Sequence, residues 1–316
     1  MATIDRPSNF AGNAARDRFY AVYDDVLARL WSVPVQADDV PTAFGCVRVC
    51  RSGPAGQDPV VLVGGAASNA AAWYRYVAAL ARTRPVVAVD PLGEVGRSVQ
   101  TEPMPDGRAV ACWLTEVLDA VDARHAHVVA SSYGGWTALQ QQLHFPGRVS
   151  ALTLLDPAGF GPLTRRFYRW IILGGLAGPL PAGLRSRAAR RLVNGTLNEP
   201  EIMRLVLASS RFRRRLPPAA EFTNEQLTAI RPPVQLLLGA RSALHDAAAV
   251  AERVSAAAPA WRVEIVPDTG HALPIEAPDL ILERILTFPP APAPAAAPTH
   301  PQSLHPADAR APRHAK

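Results

Sequence analysis

The chain has 316 residues, of which 48% are hydrophobic and 19% charged, so it can bury a sizeable core and is not a disordered protein. Its formal charge of +6 rests almost entirely on arginine, and no basic run interleaved with aromatic residues points to nucleic acid. The three cysteines, Cys46, Cys50 and Cys112, show neither a disulfide framework nor a metal-ligand spacing, which favours a reducing compartment.

The N-terminus is polar and has no apolar leader segment. The most apolar stretch, 170–184, contains four glycines and two prolines and is too short and broken to cross a bilayer. These features predict a cytoplasmic protein without stable membrane insertion.

An N-terminal helical extension is predicted for residues 1–40, with one apolar face formed by Phe19, Tyr23, Val26, Leu27 and Leu30. Strands and helices then alternate through 41–159 and again through 232–288, and we assign these two stretches to one core. The predicted strands are 44–51, 59–65, 85–93, 126–131, 149–159, 233–239 and 261–267. The predicted helices of the core are 69–82, 109–123, 134–145, 247–258 and 279–288. Short, continuous, valine-rich strands with intervening helices predict an α/β fold with a mostly parallel, doubly wound sheet.

The alternation stops between 160 and 231, where only helical or irregular patterns occur. This segment has thirteen arginines and four glutamates, a charge of +9 against +6 for the whole chain. We predict a helical cap, or lid, inserted after the strand 149–159, which we count as the sixth strand of the fold. Its arginines fit an ordinary solvated face better than a site for an anionic partner or a membrane surface. Candidates for lining an apolar pocket beneath it are Phe167, Trp170, Ile171 and Leu173.

The C-terminal segment 289–316 contains eight prolines and nine alanines. Such a composition predicts a disordered tail that takes no part in the fold.

A cluster of small residues surrounds Ser132, in the order Ala130-Ser131-Ser132-Tyr133-Gly134-Gly135. It lies where a predicted strand turns into a predicted helix. A small residue, any residue, Ser, any residue and Gly at such a turn is the pattern of a nucleophile elbow. The alternative is that Ser132 caps the helix. We predict that Ser132 is a nucleophile.

A nucleophilic serine needs two backbone N–H groups to hold the oxyanion that its attack creates. Tyr133 follows the nucleophile and would provide one. The loop Gly64-Gly65-Ala66, after the strand 59–65, would provide the other from Ala66.

The general base is predicted to be His271, in the loop between the last strand and the last helix. That place in the chain follows both the nucleophile and the acid of a serine triad. Two aspartates could be the acid. Asp246 could instead cap the helix 247–258, and Asp156, at the end of the strand 149–159, could instead brace its loop. A chain with no acid at all is the third alternative.

The order of these motifs resembles the α/β-hydrolase superfamily over about residues 40–288. The N-terminal helix followed by TAFGCVRVCRSG, and the form DPLGEVGRS, are similar to the naproxen-esterase-like carboxylesterases. The superfamily usually has its acid at the position of Ser242, and a serine cannot carry that charge. In the naproxen-esterase-like group, the same loop tends to end in an aspartate at the position of Asp246. The resemblance therefore favours Asp246 as the acid, with Asp156 as the alternative.

The resemblance implies a serine hydrolase that needs neither cofactor nor metal and cleaves a small, apolar carboxylic ester through an acyl-enzyme. One alternative is a thioesterase, C–C bond hydrolase or lyase of a biosynthetic pathway on the same fold. Another is a catalytically degenerate hydrolase fold that serves as a binding protein, because Gly64 and Ser242 depart from the usual pattern. No nucleic-acid partner is expected, and no oligomeric state is indicated.

Overall fold

The computed structural model describes residues 4–288, so the tail predicted for 289–316 lies outside the described residues. The strands are β1 (Asn9–Phe10), β2 (Gln36–Thr42), β3 (Gly45–Ser52), β4 (Val60–Val63), β5 (Val86–Val89), β6 (Val99–Gln100), β7 (Ala126–Ser131), β8 (Val149–Leu155), β9 (Phe212–Arg213), β10 (Val234–Gly239) and β11 (Arg262–Val266). The helices are α1 (Asn13–Leu30), α2 (Tyr74–Leu80), α3 (Gly107–Ala120), α4 (Ser132–His144), α5 (Arg165–Ala177), α6 (Ala182–Leu192), α7 (Pro200–Ala208), α8 (Asn224–Ala229), α9 (Ala247–Ala257), α10 (Leu273–Glu276) and α11 (Pro278–Thr287).

One large sheet has the strand order β11-β10-β8-β7-β4-β5-β3-β2, with β6 paired to β3. The strands from β11 to β5 in this order are mutually parallel, whereas β3 runs antiparallel to both β5 and β2. Parallel strands need crossover connections, and the intervening helices provide them. The predicted α/β fold with a mostly parallel sheet is therefore confirmed.

Both faces of the sheet are covered, and β4 shows how. Val61 and Val63 pack into one core cluster with side chains of α3, α4 and α9. Val60 and Leu62, which alternate with them, pack into a second cluster with side chains of α2 and α11. Alternate residues of a strand face opposite sides, so a strand buried on both sides is apolar throughout, as the sequence indicated.

The N-terminal segment is only partly helical. Helix α1 buries Phe19, Tyr23 and Val26, while Leu27 and Leu30 are partly exposed. Residues 36–40, predicted to belong to the helical extension, instead form most of the edge strand β2. Val40 is the only buried residue of that strand. An edge strand with one side in solvent tolerates polar residues, and this is why its sequence did not indicate a strand.

The segment between β8 and β10 contains α5 to α8, and β8 is the sixth strand longer than two residues. Strand β9 lies within this segment and pairs antiparallel with β1, so that Asn9 faces Arg213 and Phe10 faces Phe212. We keep the name cap for residues 160–231, whose exact limits stay a prediction. Across residues 4–288, no helix is both long and apolar enough to cross a bilayer. The cytoplasmic location also stays a prediction.

Candidate active site

Ser132 lies at the sharp turn between β7 and α4 with a φ of 49°, in the left-handed region that is costly for a residue with a side chain. The turn is tightly packed. A Cβ on Gly134 would lie 2.4 Å from the carbonyl oxygen of Gly64, and one on Gly135 would lie 2.6 Å from Pro157 Cβ. The small residues that follow Ser132 are therefore a steric requirement of the turn.

His271 joins Ser132 to an aspartate. Its Nε2 lies 2.9 Å from Ser132 Oγ, and its Nδ1 lies 2.6 Å from Asp156 Oδ2. With the ring proton on Nδ1, His271 donates to Asp156 and accepts from the serine hydroxyl. This is the arrangement in which an imidazole can take the proton of an attacking serine.

Asp156 is completely buried just beyond the end of β8, and it accepts several hydrogen bonds. Besides His271, Ser242 Oγ donates to Oδ2 at 2.6 Å, while Gly239 N and His245 Nε2 both lie 3.1 Å from Oδ1. Burial alone would raise the pKa of Asp156. The hydrogen bonds and charges of His245 and His271 outweigh it and hold the pKa well below the usual range, so the group is a carboxylate at neutral pH.

The preference for Asp246 as the partner of His271 is not supported by the structure. The Asp246 carboxylate caps α9, accepting from Ala248 N at 3.0 Å and Ala249 N at 3.2 Å. The first N–H groups of a helix lack intrahelical partners, so this capping role satisfies them. The structure instead brings the alternative, Asp156, to His271. Ser242 donates to Asp156 from the position where the superfamily usually has its acid.

The loop at 64–66 passes directly beside Ser132. A Cβ on Gly65 would lie 2.8 Å from Ser132 Cβ and 3.4 Å from its Oγ, so only glycine fits there. Within residues 4–288, the backbone N–H groups of Ala66 and Tyr133 have no hydrogen-bond partner. No contact within the described residues therefore occupies either predicted oxyanion donor.

An ion pair between a buried carboxylate and a partly exposed arginine connects this loop to the cap. Glu94 Oε2 accepts from Ala67 N at 2.9 Å, and Arg214 Nε donates to Glu94 Oε1 at 2.6 Å. The Arg214 guanidinium also lies 4.3 Å from the centre of the Tyr133 ring. Burial raises the pKa of Glu94, and the charge of Arg214 opposes that rise. The pair links the two segments that carry the predicted oxyanion donors.

The cap contacts the site through two aromatic side chains of α5. The ring centres of Phe167 and Trp170 lie 5.4 Å and 5.6 Å from that of His271, both edge to face. Trp170 and Leu173 also line an open surface cavity of about 350 Å³. Ile171, the fourth predicted pocket residue, is 48% exposed and faces solvent.

The loop that carries His271 is held by Glu276, which lies in α10. Its carboxylate accepts from Gly270 N on that loop and, at 2.8 Å, from Gly195 N in the cap. Burial raises the pKa of Glu276, and the two backbone N–H groups oppose that rise. The cap and the loop that carries His271 are thus bonded to one carboxylate. Among the described residues, no group of three His, Cys, Asp or Glu side chains could hold a metal ion.

A model of the alpha/beta hydrolase family matches residues 60–284. The chain belongs to this family. The "Uncharacterized carboxylesterase nap" of Bacillus subtilis (strain 168) is 28% identical to it over 286 residues, covering 86% of this chain and 92% of that protein. "Carboxylesterase YbfK" of the same organism is 28% identical over 296 residues, covering 90% of this chain and 98% of that protein. The predicted resemblance is confirmed.

Solved structures agree with these relatives. The crystal structure of naproxen esterase (carboxylesterase NP) from Bacillus subtilis superposes with a TM-score of 0.77 at 26% identity, covering 88% of this chain and 99% of that one. That of carboxylesterase CesB (YbfK) gives the same TM-score at 27% identity, covering 87% and 98%. The chain is therefore a hydrolase, and the comparisons support ester hydrolysis as its reaction class.

Proposed function

We propose that the protein is a carboxylesterase that cleaves its substrate through Ser132, His271 and Asp156. The observation that carries this proposal is the continuous chain of hydrogen bonds from Ser132 Oγ through both nitrogens of His271 to a buried carboxylate. Each member has the residue type and the contact that acyl transfer by a serine requires.

In the first half of the reaction, Ser132 Oγ attacks the ester carbonyl while His271 Nε2 accepts the hydroxyl proton. The resulting imidazolium is stabilised by Asp156, which stays ionised. The carbonyl oxygen becomes an oxyanion, held by the N–H groups of Ala66 and Tyr133. His271 then donates the proton to the leaving alcohol, and an acyl-enzyme remains on Ser132.

In the second half, a water molecule replaces the alcohol. His271 removes a proton from that water as it attacks the acyl carbon, and the same two N–H groups hold the second oxyanion. The bond to Ser132 Oγ breaks, and the serine regains its proton from His271. The carboxylic acid leaves and the site is restored.

An apolar group on the substrate is favoured by the aromatic side chains beside the base. Phe167 and Trp170 present ring surface within contact distance of His271, where one end of the ester would lie. Apolar surface in that place gains free energy when it is removed from water. The same residues could serve a thioester, whereas the intact hydrogen-bond chain argues against a degenerate binding protein.

The test is covalent labelling of purified full-length protein with a fluorophosphonate, read as intact mass, followed by turnover of matched acetate, butyrate and octanoate esters and thioesters. One adduct is expected on the unmodified protein and none on Ser132→Ala. Ser131→Ala is the matched control, because it removes the neighbouring hydroxyl and should keep both the adduct and the turnover. A folded protein with no adduct and no ester turnover would contradict the proposal. Thioester turnover faster than ester turnover would make a thioester, and not a carboxylic ester, the substrate class.

A further inference from the structure

Large apolar side chains exposed to solvent are concentrated in one part of the cap. Of the thirteen such residues in the described part of the chain, eight lie between 163 and 184. Ile172 is 60% exposed and Leu176 is 67% exposed. Single exposed apolar residues need no explanation, but a concentration of this kind marks an interaction site.

The same region is uniformly basic. Residues 160–198 contain seven arginines and no aspartate or glutamate. Arg165, Arg187, Arg190 and Arg191 form no ion pair with any residue in 4–288. Their charge is therefore not neutralised within the described protein.

The two helices of this region each have an inner and an outer face. On α5, Phe167 and Trp170 face His271. Arg165, Tyr168, Ile172 and Leu176 follow the three- and four-residue spacing of the opposite face. On α6, Ala189 is buried in a small cluster with Ala177, Leu197 and Met203. Leu184, Arg187 and Arg191 share the exposed face of α6 at the same spacing.

We propose that this outer surface docks on an anionic phospholipid bilayer. We call it the cap face, and it is formed by Arg165, Tyr168, Ile172, Leu176, Leu184 and Arg187. Apolar side chains flanked by arginines on a short amphipathic helix fit the boundary between acyl chains and phosphate headgroups. A second copy of the chain is disfavoured as the occupant, because two such faces would bring unneutralised arginines together.

The proposal concerns binding and does not depend on ester hydrolysis. It predicts both an electrostatic and an apolar contribution to the same docking event. The arginines should make binding depend on anionic lipid and on low ionic strength, because the attraction is screened by salt. The apolar residues should raise the affinity for the vesicles above the value that charge alone would give.

Co-sedimentation of the full chain with vesicles tests this proposal. We expect binding to vesicles of equal parts phosphatidylcholine and phosphatidylglycerol, little binding to pure phosphatidylcholine, and release by high salt. Arg165→Gln and Arg187→Gln should each lower the partition coefficient about fivefold. The double variant Ile172→Ser/Leu176→Ser should lower it at least as much.

Leu286→Ser is the matched control, since Leu286 is 52% exposed and lies on α11, outside the cap. It should leave vesicle binding unchanged, and every variant keeps residues 289–316, so any contribution of that segment cancels. Thermal melting checks that the serine variants fold, and the arginine variants test the proposal independently. Absence of binding to anionic vesicles, equal binding to both vesicle types, or equal loss with Leu286→Ser would overturn it.

Discussion

His245 and Asp156 are joined by a hydrogen bond of 3.1 Å, to the carboxylate oxygen that His271 does not use. One buried carboxylate therefore interacts with two histidines. Oδ1 is held by His245 and the backbone of Gly239, while Oδ2 is shared by His271 and Ser242. Contacts on both oxygens restrict rotation of the carboxylate. Which oxygen faces His271 is therefore set by Gly239, Ser242 and His245, which are not members of the proposed triad.

The assignment of the acid can be tested by treating the two aspartates separately. Asp156→Asn should lower kcat by about 10⁴-fold, because a neutral amide neither fixes the imidazole tautomer nor stabilises the imidazolium. Asp246→Ala should leave kcat unchanged and lower the free energy of unfolding by about 1 kcal/mol, through loss of the helix cap. Steady-state kinetics on a soluble ester and urea unfolding measure both. Loss of kcat in Asp246→Ala alone would reverse the assignment.

His245→Ala should lower the free energy of unfolding most at neutral pH. The pKa of Asp156 is depressed in the folded state, so its stabilising contribution is present above about pH 4, the unfolded value, and is lost as the pH falls through the folded pKa. Removing His245 raises the folded pKa and reduces that contribution.

The variant and the unmodified protein should therefore differ in unfolding free energy above about pH 4 and converge at lower pH. Urea unfolding across a pH series measures the difference, and kcat at neutral pH should fall about tenfold. His125→Ala, a histidine remote from the site, is the control. A difference that does not change with pH would mean that His245 acts through packing alone.

Arg214→Met should leave the buried Glu94 carboxylate without its cationic partner. Because about a third of the Arg214 side chain keeps contact with solvent, we expect a loss of about 2 kcal/mol, below the usual range for fully buried pairs. The double variant Glu94→Gln/Arg214→Met should regain most of that stability, because the neutral amide needs no cationic partner and its oxygen can still accept from Ala67 N. It should not regain kcat, since the contact between Arg214 and the Tyr133 ring stays lost. If stability and kcat fall together in the single variant and recover together in the double variant, the pair acts only on folding.

Gly65→Ala tests the close approach of the loop to Ser132. The added Cβ would lie 2.8 Å from Ser132 Cβ, so either the loop or the serine must move. A displacement of about 1 Å at a reacting atom costs about 10²-fold in rate, and we expect that loss in kcat. Gly161→Ala is the control, because no heavy atom lies within 4 Å of its added Cβ. Fluorophosphonate labelling rates give the same comparison without a substrate.

The sequence predicted much of the fold and two residues of the candidate site, Ser132 and His271. The predicted strand 126–131 coincides with β7, and Ser132 begins α4 as the small-residue pattern required. His271 could be placed because its position follows from chain order. These features depend on residues close together in the sequence, where steric requirements and periodicity are readable.

The remaining site residues depend on contacts between distant parts of the chain. Both Asp156 and Asp246 follow strands, and their environments in three dimensions decide which one reaches His271. Glu94 and Arg214 are 120 residues apart, and neither has a local pattern that indicates a buried partner. His245 lies in the same loop as Ser242 and Asp246, but a single histidine there does not indicate a contact with a carboxylate 89 residues away.

The pairing of β1 with β9 has a consequence for how the protein is made. Ser8 and Arg215, which flank this pair and share a hydrogen bond, are 207 residues apart. At ribosomal speeds, that separation corresponds to roughly 10–40 s of translation. During this interval, Phe10 can already pack against Phe19 and Tyr20 of α1, but its strand has no partner. Because β1 is only two residues long, its unpaired edge gives other unfinished chains little backbone on which to aggregate.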